Sequence, residues 1–446
     1  MKKFVLTFLI ITLMVSFVGM WQLISNGYDK QNKVILLLKK IIPSNIARKV
    51  STTVFYIPNL KNRNKFLEMQ LAKYDQGLKG EKFFEKKEKT ADNKYNYSLK
   101  NFYLPFPSLD LNLAWNTNKN QLRAHYFEII DNYIFVMSGE GETVYFDRKN
   151  INNDNLNLKR IGNNLREVLD QKNVTLSAIR DIYYEKNFIY VSILESTKDK
   201  SFFNIYRAEK NLQNLDFKIF FESKEEISGT WAPQTGGRIT SFSPNEILFS
   251  IGFFGKWKSA QDKKSTFGKI VSINKNTKKY NIISIGHRNP QGLHYLSKEK
   301  IIINTEHGPK GGDEVNINFL NKNEIPNFGW PVASYGVPYP GGDENFFKEN
   351  GYFKKSHSKY GFQEPLKDFT PAIGISELTY NEKKLYVSSL RAESIYIIEL
   401  TDDYKVKDQT RIKLDSRIRD LKYDKENDIF LILLENIPAI GVLKFN

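Results

Sequence analysis

A two-strand theme recurs six times along the chain. Each copy begins with an apolar strand, passes through a polar turn and continues into a strand rich in Ile, Tyr, Phe and Val. The copies occupy residues 127–136, 179–191, 239–250, 292–303, 377–387 and 418–432. Their spacing is roughly 45 to 60 residues, with one gap of about 85, which matches the period of four-stranded propeller blades. We therefore predict an all-β fold, a six-bladed β-propeller with an insertion at residues 321–370.

The first hundred residues do not share the repeat. Residues 1–24 begin with Lys2 and Lys3 and continue as an apolar run near the roughly 20 residues that span a bilayer. No small-x-small cleavage site follows, so we expect an uncleaved signal anchor in the inner membrane with the propeller facing the periplasm. Residues 25–100 alternate Lys-rich and apolar patches, which favours a helical membrane-proximal stalk or a helical extension packed on the main domain. The propeller is expected at residues 101–446.

The formal net charge of +16 does not by itself indicate a nucleic-acid-binding protein. The excess is scattered Lys among Asn and Ile, without an Arg-rich helix or a nucleic-acid motif, so we expect no nucleic-acid partner. The chain has no cysteine, which excludes a disulfide framework and a thiol for lipoprotein attachment. We therefore expect the stability of the exported domain to come from packing alone.

Three strings between residues 286 and 342 differ in composition from the rest of the chain. They read GHRNPQGL, EHGPKGGDEVN and FGWPVASYGVPY. Gly, Pro, His, Arg and Asn pack poorly into regular elements, but in loops their carbonyls and charged groups can be directed at a ligand. We therefore predict that these strings contribute to the functional site.

Together the three strings closely resemble the glucose/sorbosone dehydrogenase family, which comprises soluble pyrroloquinoline quinone (PQQ)-dependent aldose dehydrogenases built on a six-bladed propeller. The strings SSLR at residues 388–391 and SRIRD at residues 416–420 support the resemblance. It covers residues 102–446 and is strongest from residue 286 onward. It implies a PQQ- and calcium-dependent enzyme that oxidises an aldose or related alcohol and passes electrons to a respiratory acceptor.

The resemblance implies a cation-lined pocket for the cofactor. PQQ is a tricarboxylate that carries an ortho-quinone, and Arg offers permanently charged, bidentate donors to carboxylates. The implied cofactor-binding residues are Arg288, Asn289, Arg391, Arg417 and Arg419. Arg417 and Arg419 are two residues apart, so on a strand their side chains point the same way and can meet one ligand.

The resemblance also implies two calcium ions, one beside the cofactor and one structural. Backbone carbonyls, including that of a proline, suit a hard cation. In isolation, Asp313 and Glu314 would be read as a solvated acidic turn, and only the surrounding string favours a metal site. Asp343 is included on its spacing alone. The implied ligands are Gly308 and Pro309 for the first ion, and Glu314, Phe328, Tyr339 and Asp343 for the second.

The sequence departs from the family pattern at two places. The family's general base is a His two residues before the Gly-Gly or Gly-Arg of the third blade, where this chain has Gln234. Glutamine cannot accept the substrate proton, and general-base assistance is typically worth about 10² to 10⁴ in rate. In blade two, relatives carry a cofactor-contacting Gln in a Gly-rich turn. Residues 175–181 have neither residue type, so Arg180 and Asp181 are candidates to line the channel instead.

The remaining histidines have structural interpretations. His287 and His307 are expected to orient loops by hydrogen bonding, and His125 is expected to pack in blade one rather than replace the base. Three functions stay open on the sequence: an active PQQ-dependent sugar dehydrogenase, a non-catalytic propeller that binds its ligand in the cation-lined pocket, and a calcium-dependent hydrolase like the lactonase propellers. The retained arginines favour an anionic ligand and therefore the first two.

Overall fold

The computed structural model describes residues 78–106, 124–229, 234–320, 324–339 and 344–445. Within these ranges the chain is mostly β-strand. The signal anchor predicted at residues 1–24 lies outside the described residues. No helix within the described ranges is long and apolar enough to cross a bilayer.

The first half of the described chain contains an N-terminal hairpin and two blades. Helix α1 (Leu165–Gln171) connects the two blades, and a 3-10 helix covers Arg148–Asn152. The strands are β1 (Lys79–Lys89), β2 (Asn96–Tyr103), β3 (Tyr126–Ile130), β4 (Tyr133–Met137), β5 (Thr143–Asp147), β6 (Asn155–Asn157), β7 (Lys159–Asn163), β8 (Thr175–Glu185), β9 (Phe188–Ser196), β10 (Lys200–Glu209), β11 (Asn214–Leu215), β12 (Lys218–Phe221) and β13 (Ile227–Ser228).

The second half contains four further blades. Helix α2 (Glu344–Glu349) and a 3-10 helix at Ser358–Tyr360 lie in the insertion. The strands are β14 (Gly236–Ser243), β15 (Glu246–Ile251), β16 (Lys269–Asn274), β17 (Tyr280–Ile285), β18 (Pro290–Leu296), β19 (Ile301–Glu306), β20 (Asp313–Phe319), β21 (Lys367–Phe369), β22 (Ile375–Asn381), β23 (Lys384–Ser389), β24 (Ser394–Leu400), β25 (Val406–Lys413), β26 (Ile418–Asp424), β27 (Ile429–Leu434) and β28 (Ala439–Phe445).

Six sheets form a closed ring, which confirms the predicted six-bladed propeller. Their successive strands are β3-β4-β5-β7, β8-β9-β10-β12, β14-β15-β16-β17, β18-β19-β20-β21, β22-β23-β24-β25 and β26-β27-β28-β2. The first strand of each sheet contacts the first strand of the next, and β26 contacts β3. Each sequence repeat is the first hairpin of one blade. The insertion predicted at residues 321–370 belongs to blade four, where it follows β20 and contains the outer strand β21 near its end.

The prediction of a helical stalk is wrong for the part that the structure describes, because residues 79–89 and 96–103 are strands. Strand β2 pairs with β28 over seven residue pairs from Tyr97 to Tyr103, so the N-terminal segment supplies the outer strand of blade six. Tyr97 and Leu99 are buried while Asn96 is exposed, and this alternation fits a strand rather than a helix. The propeller therefore includes residues before 101, and residues 25–77 of the predicted stalk lie outside the described residues.

Candidate functional site

The predicted cofactor residues lie at one end of the ring. In an antiparallel blade, the start of the first strand and the turn between the second and third strands are at the same end. Arg288 and Asn289 directly precede β18, Arg417 directly precedes β26, and Arg419 is the second residue of β26. Arg391 lies in the turn between β23 and β24. The fold thus brings all five residues to one end of the central channel.

Arg417 and Arg419 share the carboxylate of Glu435. Nε of Arg417 donates to one oxygen of Glu435 at 2.9 Å, and Nε of Arg419 donates to the other at 3.2 Å. All three side chains are buried. Burial raises the pKa of Glu435, but the two guanidinium groups outweigh this effect and hold it at about 2. Two cations therefore face one anion, which leaves a net positive charge for an anionic ligand.

A chain of polar contacts joins these arginines to blades three and four. Nη1 of Arg419 donates to Oε1 of Gln291 at 3.1 Å, and Nε2 of Gln291 donates to Oδ1 of Asn289 at 3.0 Å. The backbone N–H of Gly236, the first residue of blade three, donates to the same Asn289 oxygen at 3.1 Å. Asn289 therefore connects three blades at this end of the ring.

Arg391 is the most peripheral of the predicted cofactor residues. Its side chain is exposed, in contrast to the other three arginines. It stays close to the cluster because Nη1 of Arg417 donates to the carbonyl of the preceding residue, Leu390, at 3.4 Å. The structure therefore places Arg391 at the rim of the pocket.

Arg288 is a buried cation with unused hydrogen-bonding capacity. Its Nη1 donates to the carbonyl of His307 at 2.9 Å, and its Nε has no partner among the described residues. Its guanidinium carbon lies 5.2 Å from the ring centre of Trp330 and 5.8 Å from that of Phe253. Burial lowers the pKa of Arg288. Nε1 of Trp330 is likewise buried without a described partner. Two neighbouring buried donors without acceptors fit an acceptor-rich ligand such as a carboxylate.

A buried Ser-His-Glu chain holds the loop that carries Arg288. Ser284 Oγ is 2.8 Å from His287 Nε2, and His287 Nδ1 is 2.9 Å from a carboxylate oxygen of Glu306. The other oxygen of Glu306 accepts the backbone N–H of Arg288. This arrangement confirms that His287 orients a loop by hydrogen bonding.

Of two other histidines, His125 matches its sequence-based interpretation, and the hydrogen-bonding role of the His307 side chain stays a prediction. His125 accepts the backbone N–H of Gly139 at 3.3 Å and its ring packs on Phe106, with 1% of the residue exposed. It is therefore part of the packing of blade one. His307 lies in the turn after β19, where its Nδ1 is 3.7 Å from a carboxylate oxygen of Asp313.

Gln234 lies two residues before β14, at the same end of the ring as the arginines. It is half-buried, and its backbone φ of 54° is in the left-handed region. Its carbonyl accepts the N–H of Phe254 at 3.4 Å. Because the nearby N–H of Gly236 bonds to Asn289, the Gln234 segment is tied to the cofactor residues. The assignment of Gln234 to the position of the base stays a prediction.

The two residues that replace the family's Gly-rich turn in blade two are directed at the channel region. Asp181 lines a cavity of about 340 Å³ at the opposite end of the channel, where it accepts from Arg238 at 3.0 Å. Arg180 packs against Gly237, and its side chain leaves no room for a Cβ there. Burial lowers the pKa of Arg180, an effect that Tyr126 opposes and the charge of Arg419 reinforces. Arg180 therefore adds a further cation near the arginine cluster.

The cofactor-side calcium site would depend on backbone oxygens. Gly308 and Pro309 lie in the turn between β19 and β20, where the carbonyl of Pro309 accepts the N–H of Gly312 at 3.3 Å. A side chain at Gly308 would collide with the carbonyl of Gly312, so the turn requires glycine. Among the described residues, no three His, Asp or Glu side chains are grouped to hold a metal.

Glu314 is the predicted structural-calcium ligand that best fits a cation. Burial raises its pKa well above the usual range, and the charge of Glu306 adds to this effect. Its oxygens lie 3.5 Å from the His357 ring and 3.5 Å from the amide of Asn316. A carboxylate so weakly partnered in the interior is stabilised by a nearby cation.

The other predicted ligands of the structural calcium are spread more widely. Phe328 is buried beside the ring of His287, with ring centres 4.8 Å apart. Tyr339 is 56% exposed, and Asp343 lies outside the described residues. Glu314 is thus a buried carboxylate with two weak partners, and its role as a calcium ligand stays a prediction.

Three polar residues of the central channel were not predicted from the sequence. Glu435 follows β27 in a string without a distinctive composition, so only its contacts with Arg417 and Arg419 identify it. Gln291 belongs to the string GHRNPQGL beside Asn289, and that proximity was an available signal. Arg238 follows the Gly-Gly pair used to locate Gln234, but its partners come from other blades and cannot be read from local sequence.

The chain is similar in sequence and in fold to aldose sugar dehydrogenases. The aldose sugar dehydrogenase YliI of Escherichia coli (strain K12) is 26% identical over 248 residues, which is 50% of this chain and 62% of the relative. The crystal structure of the soluble aldose sugar dehydrogenase from Escherichia coli in the apo form has a TM-score of 0.56 at 21% identity and covers 72% of this chain and 95% of that chain.

A cofactor-bound structure has the same fold. The PQQ-bound form of aldose sugar dehydrogenase from Streptomyces coelicolor has a TM-score of 0.53 at 19% identity and covers 78% of this chain and 98% of that chain. The family model described as glucose/sorbosone dehydrogenase matches residues 169–437, more than half of the sequence. This protein therefore belongs to the glucose/sorbosone dehydrogenase family.

Proposed function

We propose that this protein is a PQQ- and calcium-dependent oxidoreductase that oxidises the CH–OH group of an aldose or related alcohol. The supporting observation is the cation-lined pocket, in which Arg288, Arg417 and Arg419 converge on one end of the channel with Glu435 as the carboxylate bonded to two of them. A tricarboxylate supplies the missing negative charge. Family membership and the PQQ-bound relative support the same ligand class.

The pocket residues would hold the cofactor through charge and unused donors. Arg417 and Arg419 would present their guanidinium groups to carboxylates, while Nε of Arg288 and Nε1 of Trp330 would gain the acceptors that they lack. The aromatic rings of Phe253 and Trp330 border Arg288 and exclude water, which strengthens these charge interactions. When bound, the ortho-quinone supplies a two-electron acceptor for the substrate carbon.

The side chain at the base position sets the expected rate. The Gln234 amide can hydrogen-bond a substrate hydroxyl, but it cannot accept the proton that leaves with oxidation. We therefore expect ligand binding of ordinary strength with slow turnover. The carbonyls of Gly308 and Pro309 would hold the cofactor-side calcium, and Glu314 would be a ligand of the structural calcium.

The cellular setting is a further part of this proposal. The apolar run at residues 1–24 would anchor the protein in the inner membrane with its propeller in the periplasm, where a respiratory acceptor would take the electrons. This part is supported by the sequence pattern alone.

Reconstitution tests the proposal. PQQ and Ca²⁺ are added to the purified full-length protein, and cofactor absorbance and dye reduction are measured with a panel of aldoses. A shift in absorbance with dye reduction is the expected result. Binding without reduction would identify a binding propeller and overturn the enzymatic part, and no binding would overturn the PQQ assignment.

A matched pair of arginine variants locates the binding. Arg288→Gln should weaken PQQ binding by about 10-fold or more, because it removes a charged, buried hydrogen-bond donor. Arg207→Gln is the control, since Arg207 stacks on Phe188 and Phe220 in blade two, away from the pocket. Equal affinities of the two variants would contradict the proposed site.

A further inference from the structure

Lys269, the first residue of β16, is a lysine with no exposed surface. Its ammonium donates to three backbone carbonyls, those of Ser259 at 2.7 Å, Ala260 at 3.0 Å and Phe267 at 2.7 Å. Within the described ranges its ammonium forms no salt bridge. Three carbonyl oxygens on one nitrogen reproduce the surroundings of a small bound cation.

All three carbonyls belong to the loop at residues 252–268, between β15 and β16. Without a donor at their centre, these three oxygens would be buried close together, and only those of Ser259 and Ala260 would keep a backbone partner, the N–H groups of Asp262 and Gly286. The same loop is held on its other side by Glu225, whose carboxylate accepts from Ser265 Oγ at 2.6 Å and from the N–H of Thr266. The ammonium of Lys269 and the carboxylate of Glu225 thus provide hydrogen bonds that regular secondary structure would otherwise supply to the backbone of this loop.

The loop is bonded directly to the residues around Arg288. The Ala260 carbonyl that binds Lys269 also accepts the N–H of Gly286 at 3.0 Å. The N–H of Phe253 donates to the carbonyl of Arg288 at 2.9 Å. Nε2 of Gln261 donates to the carbonyl of Trp330 at 2.7 Å. A displacement of the loop would therefore move both buried donors of the pocket.

We propose that Lys269 is a positioning residue, an internal ammonium that acts as the structural cation of the 252–268 loop and thereby fixes Arg288 and Trp330. That these two residues meet an anionic cofactor rests on the proposed function, whereas the role of Lys269 in the loop does not. Burial lowers the pKa of Lys269 to about 8, although Glu225 and Asp262 act in the opposite direction. The group is therefore still mostly charged at neutral pH.

Hydrogen–deuterium exchange of the full-length protein without cofactor tests the role in the loop. Lys269→Met removes the three donors and keeps an apolar chain of similar length. We expect exchange at residues 252–268 and 285–290 to accelerate by about 10-fold or more, with blades one and two unchanged. The matched control is Lys422→Met, which removes a half-buried lysine bonded to Glu128 at the opposite end of the channel. Unchanged exchange in Lys269→Met, or acceleration spread over all blades, would overturn the proposal.

Rescue by a small cation tests whether Lys269 acts through its positive charge or only through the space that its side chain fills. Lys269→Ala leaves the three carbonyls with space between them, so ammonium chloride should restore slow exchange when sodium chloride at equal ionic strength does not. Lys269→Met, whose side chain fills that space, should not respond. Failure of ammonium to rescue Lys269→Ala would overturn the assignment of Lys269 as a cation site.

Cofactor binding tests the second half of the proposal. If the wild-type protein binds PQQ, Lys269→Met should weaken binding by about 10-fold or more, and an unchanged affinity would overturn the positioning of Arg288. If the wild-type protein does not bind PQQ, the proposed function fails, while the exchange experiment still decides the role of Lys269 in the loop.

Discussion

Glu435 sets the charge balance between Arg417 and Arg419, and this makes the stability of the protein sensitive to acid. Its folded-state pKa of about 2 lies below the ordinary value of 4.5, so its contribution is fully present above pH 4.5 and is lost as the pH falls toward 2. A shift of this size corresponds to about 3 kcal/mol. We predict that urea unfolding at a series of pH values shows this loss in the wild type.

Glu435→Gln is the matched variant for that measurement. Its free energy of unfolding should lack the acid-dependent contribution of Glu435. At neutral pH this free energy should be roughly 3 to 5 kcal/mol lower than in the wild type, because two buried guanidinium groups lose their shared carboxylate. Parallel pH profiles for the two proteins would show that Glu435 is not the source of the acid sensitivity.

Gln234 determines the expected turnover of the reconstituted protein. Gln234→His introduces a proton acceptor where the family has its base, so we predict an increase in kcat of about 10² to 10⁴, growing as pH rises through the pKa of the new imidazole. Dye reduction with a saturating aldose measures the change, and PQQ affinity should stay the same. Gln234→Asn is the control, and a similar rate for both variants would argue that the proton leaves by another route.

Single residues differ in how far the sequence could predict them. Arg288 and Asn289 stand together in one string and Arg417 and Arg419 in another, so the family resemblance of these strings was enough to predict that they lie at one end of the ring. Glu435 was not predictable, because its contacts with Arg417 and Arg419 depend on the pairing register of β26 with β27, which brings the two ends of this hairpin together.

At the scale of elements, strand β2 closes the ring. Its buried residues Leu99 and Phe102 join two separate hydrophobic clusters, one shared by blades five and six and one shared by blades six and one. Without β2, strand β28 would have an open edge and both clusters would lose apolar contacts.

Truncation tests this closure. We predict that removal of residues 1–77 leaves a cooperatively unfolding propeller, whereas removal of residues 1–103 produces a protein that aggregates or unfolds at a much lower temperature. Thermal unfolding followed by circular dichroism, with light scattering for aggregation, measures both. Equal stability of the two truncated proteins would show that blade six does not need β2.

The strand character of β1 and β2 was missed for a physical reason. Residues 79–89 contain five Lys and three Glu and are largely exposed, so they show neither a clear period of two nor an apolar stripe. Their structure is set by pairing with β2, which in turn pairs with the last strand of the chain. The six central hairpins were predictable because each carries its own alternation and turn.

At the scale of the whole molecule, the ring is held by apolar clusters between neighbouring blades and by one arginine at its centre. Arg238, in blade three, donates to Asp181 of blade two at 3.0 Å and to Asp420 of blade six at 3.0 Å. It also lies 2.9 Å from Glu377 of blade five and donates to the carbonyl of Gln291 of blade four at 2.7 Å. The guanidinium carbon of Arg238 also lies 4.9 Å from the ring centre of Tyr126 in blade one. Arg238 therefore contacts all five of the other blades.

Replacement of this arginine should destabilise the molecule as a unit. Arg238→Met leaves Asp181, Glu377 and Asp420 buried without their shared cation, which should lower the free energy of unfolding by at least roughly 3 to 5 kcal/mol. Burial already raises the pKa values of Asp181 and Glu377, and Arg238 opposes this effect. Without Arg238 these carboxyl groups should take up protons more readily in the folded state.

The pH dependence of that loss distinguishes a charge effect from a packing effect. A carboxyl group with a raised folded-state pKa stabilises the fold below its ordinary pKa and loses this contribution as pH rises, so the deficit of Arg238→Met should be smaller at pH 5 than at pH 8. Urea unfolding of the variant and the wild type at both pH values measures it, with Arg207→Met as the control. A deficit that does not change with pH would mean that Arg238 stabilises the ring by filling space, since only protonation of its partners can make the loss depend on acid.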